Sequence, residues 1–126
     1  MIKVTCGIIK YYDKYLITQR SKNKKEYPLY WELPGGKCET NESIENCLIR
    51  EIKEELNINV KFKNIIYIKN NFLNKYDLYY CLCSTNDQNI KVNNEIEKYK
   101  NIDKNELLNY NFIPSDKIVI NYYLNL

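Results

Sequence analysis

At 126 residues the chain has the length of one domain, with room for one substantial core and not for two. Its apolar fraction of 44% and charged fraction of 28% are those of ordinary globular proteins, and no apolar run nears the ~20 residues that span a bilayer. The net charge of +3 is scattered along the chain, which argues against stable nucleic-acid binding, and the lack of any histidine excludes His-based acid-base chemistry, Ser-His-Asp triads, Cys-His dyads and His-ligated zinc.

Val4 to Lys10 and Lys14 to Arg20 are apolar-rich runs joined by Tyr11-Tyr12-Asp13, the pattern of a β-hairpin. The N-terminus carries no secretory signal, so a cytoplasmic protein is expected. Cys6, Cys38, Cys47, Cys81 and Cys83 are odd in number and lack the spacing of a disulfide framework, so they are expected as reduced core thiols. Ser21 to Leu29 is a polar loop, and Tyr30 to Leu33 is a short strand that runs into a Gly35-Gly36 loop.

A helix is predicted from about Ser43 to Leu56, with Thr40 or Asn41 as its cap and Asn57 at its C-terminal end. Strands are predicted over Val60 to Lys69 and Tyr76 to Ser84, then a polar connection over Asn86 to Asn94. Asp103 to Leu108 reads as a short helix or turn, and Ser115 to Leu124 as a C-terminal helix begun at Pro114. Strands, helix, strands and helix in that order imply an α/β fold, a mixed sheet with helices on both faces.

The predicted helix has an anomaly. At ~100° per residue, Ile44, Cys47, Leu48, Ile52 and Leu56 form an apolar arc, and Glu51 and Glu55 fall within about 20° of Ile44, inside that arc. Glu54 lies on its edge. Neighbouring carboxylates on a core-facing stripe repel one another and resist desolvation, so cations must offset them, from basic residues or from a metal. A hard divalent ion fits oxygen ligands, and together with the Gly-Gly loop it suggests metal-assisted phosphoryl chemistry.

Gly36, Glu42, Arg50, Glu51, Ile52, Glu54, Glu55 and Ile58 match the Nudix box, G-x5-E-x7-R-E-U-x-E-E-x-G-U, over about 36–58, with Asn57 where the family has glycine. Asn also tolerates the left-handed backbone of a helix end. Trp31-Glu32-Leu33-Pro34-Gly35-Gly36-Lys37, Ile17-Thr18-Gln19-Arg20 and Asn111-Phe112-Ile113-Pro114-Ser115-Asp116 extend the resemblance to the MutT-like branch. Glu95 matches a further glutamate that in those relatives precedes a tryptophan by six residues; here Asn101 stands in that place.

The resemblance implies a single Nudix domain over 1–126, an α/β/α sandwich that hydrolyses a nucleoside triphosphate to a monophosphate and pyrophosphate. Magnesium, with manganese as a substitute, would be held by Glu51, Glu54, Glu55, Glu95 and the Gly35 carbonyl. Arg50 would orient the carboxylates with Glu42 as its partner, and Glu51, Glu54 or Glu95 would accept the proton from water. Arg20, Lys37 and Lys75 would lie on the substrate side, Asp116 would read the base edge, and Trp31 or Phe112 would line the base pocket.

An oxidised purine such as 8-oxo-dGTP, or CTP and modified dCTP, are the substrates this implies, and a non-catalytic nucleotide-sensing module is the alternative from another class. The partner is a small nucleotide, with no membrane, and the protein is a monomer or homodimer. Taken singly, Gly35-Gly36 reads as a turn, Asp116 as a helix cap and Trp31 as core.

Overall fold

A computed structural model describes residues 1–126. Alternation of side chains along strands builds its two cores. On β1 (Ile2–Tyr11), Ile8 faces one core and Ile9 the other; β2 (Lys14–Arg20) divides Ile17 from Leu16 in the same way. The hairpin turn between them places Tyr12 at φ 53°.

The remaining strands are β3 (Trp31–Glu32), β4 (Gly35–Lys37), β5 (Lys61–Phe72), β6 (Tyr76–Ser84) and β7 (Ile96–Asp103). The sheet runs β3-β2-β1-β6-β5, with β4 added to β1 and β7 to β2. β1 and β6 are parallel and the other pairs antiparallel, so the sheet is mixed. Helix α1 (Ile44–Leu56) packs Leu48, Ile52 and Leu56 on the Ile9 face; helix α2 (Pro114–Leu124) packs Val119 and Ile120 on the Ile8 face. This is the expected α/β sandwich.

One detail of the sheet opens the site. β1 pairs with β4 through Val4, Thr5 and Cys6, but with β2 through Ile9, Lys10 and Tyr11. Between the two, Gly7 N–H donates to the Pro34 carbonyl at 2.7 Å. The Leu33-Pro34-Gly35 segment is thereby held in the gap where β2 and β4 diverge.

Four expectations change. Ser43 caps α1, its hydroxyl accepting from Asn46 N–H at 3.1 Å, whereas Asn41 lies in the preceding loop at φ 67°. Gly35 and Gly36 form a strand with β1 and are not an open loop. β7 escaped the sequence reading because only Ile96 and Ile102 are buried on it, leaving no alternating apolar signal. Finally, Cys38 and Cys47 form a disulfide, because the β4–α1 turn folds back on itself; Cys6, Cys81 and Cys83 are free thiols. Asn57 does end α1 at φ 59°, its N–H reaching the Lys53 carbonyl at 2.9 Å.

Candidate active site

A cavity of about 540 Å³ lies between α1, β4, β6 and the start of α2. Glu51 and Glu55, one helical turn apart, enter it over β4. Gly35 N–H donates to Glu55 Oε1 at 3.1 Å. The paired glycines permit this approach: a Cβ on Gly36 would overlap the Glu51 carboxylate, and one on Gly35 would overlap the Thr5 carbonyl.

Arg50 stands behind these carboxylates, outside the cavity lining. Its guanidinium grips Glu42 with two bonds of 2.7 and 2.8 Å and donates to Glu51 at 2.9 Å, Glu54 at 3.2 Å and the Lys37 carbonyl at 3.1 Å. The two-pronged grip holds the Glu42 carboxyl down at about 2. Glu54, with 57% of its side chain exposed, is in this network and does not line the cavity.

Burial acts oppositely on Glu55, pushing its carboxyl up to about 8 against the Gly35 hydrogen bond, with the negative charges of Glu32, Glu51 and Glu95 adding to the rise. Burial also raises Glu51 and Glu32, the latter despite Arg20, whose guanidinium donates to Glu32 Oε1 at 3.0 Å. Glu95 lines the same cavity, its carboxylate 3.4 Å from Lys24 Nζ. Carboxylates crowded into a half-buried space, with one N–H on Glu55 as its hydrogen bond, are a donor set suited to a hard divalent cation.

Another part of the lining is built on Asp116, which is 2% exposed in the first turn of α2. Leu33 N–H donates to Oδ2 at 2.8 Å and the Tyr80 hydroxyl to Oδ1 at 2.9 Å. Burial raises the carboxyl to about 7 against both bonds. It likewise lifts the Cys6 thiol and the Tyr80 phenol well above their ordinary values.

Of the residues singled out in the sequence, Arg20, Gly35, Lys37, Glu51, Glu55, Glu95 and Asp116 meet at this cavity. Trp31 and Phe112 do not. They bridge backbones within the core, with the indole edge-on to Tyr110 and covered by Lys100. Lys75 sits on the β5–β6 turn over the Tyr76 ring, outside the lining.

The aromatic wall comes from residues the sequence reading passed over. Phe72 and Tyr76 close the β5–β6 hairpin, and Tyr76, Leu78 and Tyr80 share one face of β6 by their spacing of two. Val4 and Cys6 adjoin Leu78 and Tyr80 across the parallel β1–β6 register. That spacing was a usable signal for Tyr80; Glu32 entered only within the Trp31–Lys37 resemblance and nothing local marked Lys24, and both also line the cavity.

The profile of the NUDIX domain family matches residues 1–123. The CTP pyrophosphohydrolase of Escherichia coli K12 is 43% identical over 58 residues, a match spanning 46% of this chain and 42% of that relative. The nucleoside triphosphatase NudI of Salmonella paratyphi B is 28% identical over 120 residues, 85% of each chain. Among solved structures, a MutT from work on Aliivibrio salmonicida and Vibrio cholerae superposes with a TM-score of 0.75 at 25% identity, covering 96% of this chain and 94% of that one. The solution structure of the E. coli ORF135 protein gives a TM-score of 0.80 at 24% identity over 100% and 90% of the two chains, a likeness of fold.

Proposed function

The chain belongs to the Nudix family as a MutT-like hydrolase of phosphoanhydride bonds, and we propose that it converts a nucleoside triphosphate to the monophosphate and pyrophosphate, using magnesium or, as a substitute, manganese. The observation that carries this reading is the make-up of one cavity. Glu51 and Glu55 line it from α1 beside Glu95, Asp116 lines it from α2, and Arg20, Lys24 and Lys37 belong to the same lining, a set suited to an ion-bound triphosphate with its base attached.

Glu51, Glu55, Glu95 and the Gly35 carbonyl are the lining groups that would hold the ion, and Glu54, which Arg50 ties to Glu51, would join them from outside that lining. When bound, it neutralises phosphate charge and lowers the pKa of a coordinated water. The water oxygen adds to the β phosphorus, and the bond from that phosphorus to the oxygen shared with the α phosphate breaks. That oxygen leaves with the monophosphate, while Glu51, Glu54 or Glu95 takes the proton from water. Arg50 keeps Glu51 and Glu54 in register through its anchor on Glu42. Arg20 and Lys37 face the phosphates.

Asp116 is the base reader in this scheme. Above about pH 7 its carboxylate is ionised and, with Leu33 N–H on one oxygen and the Tyr80 hydroxyl on the other, offers only acceptor positions to the cavity, which suits an exocyclic amine. 8-oxo-dGTP meets that requirement with its 2-amino group, CTP or a modified dCTP with its 4-amino group. The identity to a CTP pyrophosphohydrolase supports the second. Retention of Glu51, Glu54 and Glu55 together favours catalysis over nucleotide sensing. No helix is long and apolar enough to cross a membrane, and we take the substrate to be free nucleotide in the cytoplasm.

Incubation with magnesium and a panel of CTP, 5-methyl-dCTP, UTP, GTP and 8-oxo-dGTP, with products separated by ion-exchange chromatography, tests the reading. Monophosphate and pyrophosphate are expected, with amino-bearing bases turned over ahead of UTP. Pyrophosphate from none of the panel would overturn it.

A further inference from the structure

We infer that Cys38 and Cys47 form a reversible redox clamp on the catalytic helix. Cys38 directly follows β4, and Cys47 is fully buried at the end of the first turn of α1. Their α carbons are 5.2 Å apart, a span that a disulfide bridges without moving backbone. The Cys47 sulfur is seated 3.5 Å from Thr5 Oγ1 and 3.8 Å from the Gly36 carbonyl, so the bridge fastens α1 to the strand that presents Glu51 and Glu55 with their neighbours. The remaining thiols have no such partner: Cys81 and Cys83 are buried on β6 and Cys6 lies in the cavity wall.

What the bridge encloses gives it consequence. Residues 39–46 contain Glu42, the two-pronged anchor of Arg50, and Arg50 in turn holds Glu51, Glu54 and the Lys37 carbonyl. Glu39, Thr40 and Asn41 are exposed, and the loop is held by the disulfide, the Glu42–Arg50 pair, the Glu39 N–H bond to Glu42 at 3.0 Å and the Ser43 cap. Opening the bridge removes the one covalent tie among these and loosens Arg50, and with it the carboxylates Arg50 aligns.

The chemistry is thiol–disulfide exchange. A thiolate of a dithiol reductant attacks the half-buried Cys38 sulfur, the electron pair of the S–S bond leaves on Cys47, and that sulfur takes a proton. The second reductant thiol displaces Cys38 as a thiol, leaving the reductant as a disulfide. Oxidised glutathione runs the sequence backward, becoming two molecules of reduced glutathione.

Peptide mapping after alkylation, thermal melting and magnesium titration of the melting temperature test the clamp on the intact chain. Equilibration with oxidised glutathione should give a linked Cys38–Cys47 peptide, and dithiothreitol should lower the melting temperature by about 10 °C, as expected for opening a loop of this length. Reduction should also raise the magnesium concentration giving half of the full thermal shift by about tenfold. The Cys38→Ser variant should match the reduced protein in either buffer. No linked peptide, or identical melting and magnesium curves in the two redox states, would overturn the clamp. Only the magnesium arm rests on the proposed function. A linked peptide and a melting shift without any nucleotide hydrolysis would refute that function while leaving the clamp in place.

Discussion

Two carboxyls of one cavity, half-buried Glu55 and buried Asp116, are served by the same short segment. Gly35 N–H donates to Glu55 and Leu33 N–H to Asp116, with Pro34 between them. Burial raises both, to about 8 and about 7. The difference lies in what else surrounds them. The charge of Glu32 raises both, but Asp116 gains a second donor from Tyr80, whereas Glu55 gains the further negative charges of Glu51 and Glu95. A carboxyl with two donors needs only a light partner, such as an amine on a base. A carboxyl among carboxyls needs a cation, so under the proposed function their neighbours assign Glu55 to the ion and Asp116 to the base.

The sharpest way to break this comparison is Glu55→Gln. Losing several kcal/mol of ion-dependent charge stabilisation should cut turnover by about a thousandfold. Without magnesium at pH 8, the variant should melt no lower than the parent, because an uncharged amide removes the crowding. Turnover near that of the parent at saturating magnesium would remove Glu55 from the ion site.

Asp116→Asn should act on selectivity more than on rate. The amide presents an N–H to the cavity, so the ratio of kcat/KM for CTP over UTP should fall by about 5- to 150-fold, the worth of 1–3 kcal/mol. An unchanged ratio would show that Asp116 does not read the base. Tyr80→Phe is milder. It removes one hydrogen bond to a buried carboxyl and should destabilise the fold by about 1–3 kcal/mol in urea unfolding, with a smaller loss of CTP preference. Stability equal to the parent would show that the Tyr80 bond adds nothing to Asp116.

The smallest effect separates the two carboxyls by pH. Glu55 titrates near 8 folded and about 4.3 unfolded, so the folded state binds its proton more readily; the stability this gives is present below the unfolded value and lost as pH rises through about 8. Magnesium competes with that proton. Its thermal shift should therefore be a few degrees larger at pH 8 than at pH 5.5. An equal shift at both pH values would detach ion binding from the buried carboxyls.

Much of the α1 side of the cavity was legible in the sequence, and less of the α2 side. Glu51 and Glu55 stood out because helical periodicity put them on the apolar stripe, and the structure buries Leu48, Ile52 and Leu56 on that stripe while bringing both carboxylates into the cavity. The resemblance points Trp31 or Phe112 at the base, yet strand pairing turns both into the core, where Trp31 taken singly belongs, and Phe72, Tyr76 and Tyr80 form the wall. β7 was invisible because an outer strand with two buried residues carries no period-two pattern. The Cys38–Cys47 bridge depends on a turn whose path no spacing rule encodes.

By itself the sequence determined the local order: the α1 stripe with its misplaced carboxylates, the Asn57 helix end, the hairpin and the box that marks the family. These follow from interactions within a few residues, which periodicity records. The tertiary structure alone decided that β1 divides its edge between β2 and β4, that Leu33 and Gly35 serve carboxyls from two helices, and that Tyr80 meets Asp116 across 36 positions. Those contacts depend on register and close packing between distant segments, and no local pattern carries that information.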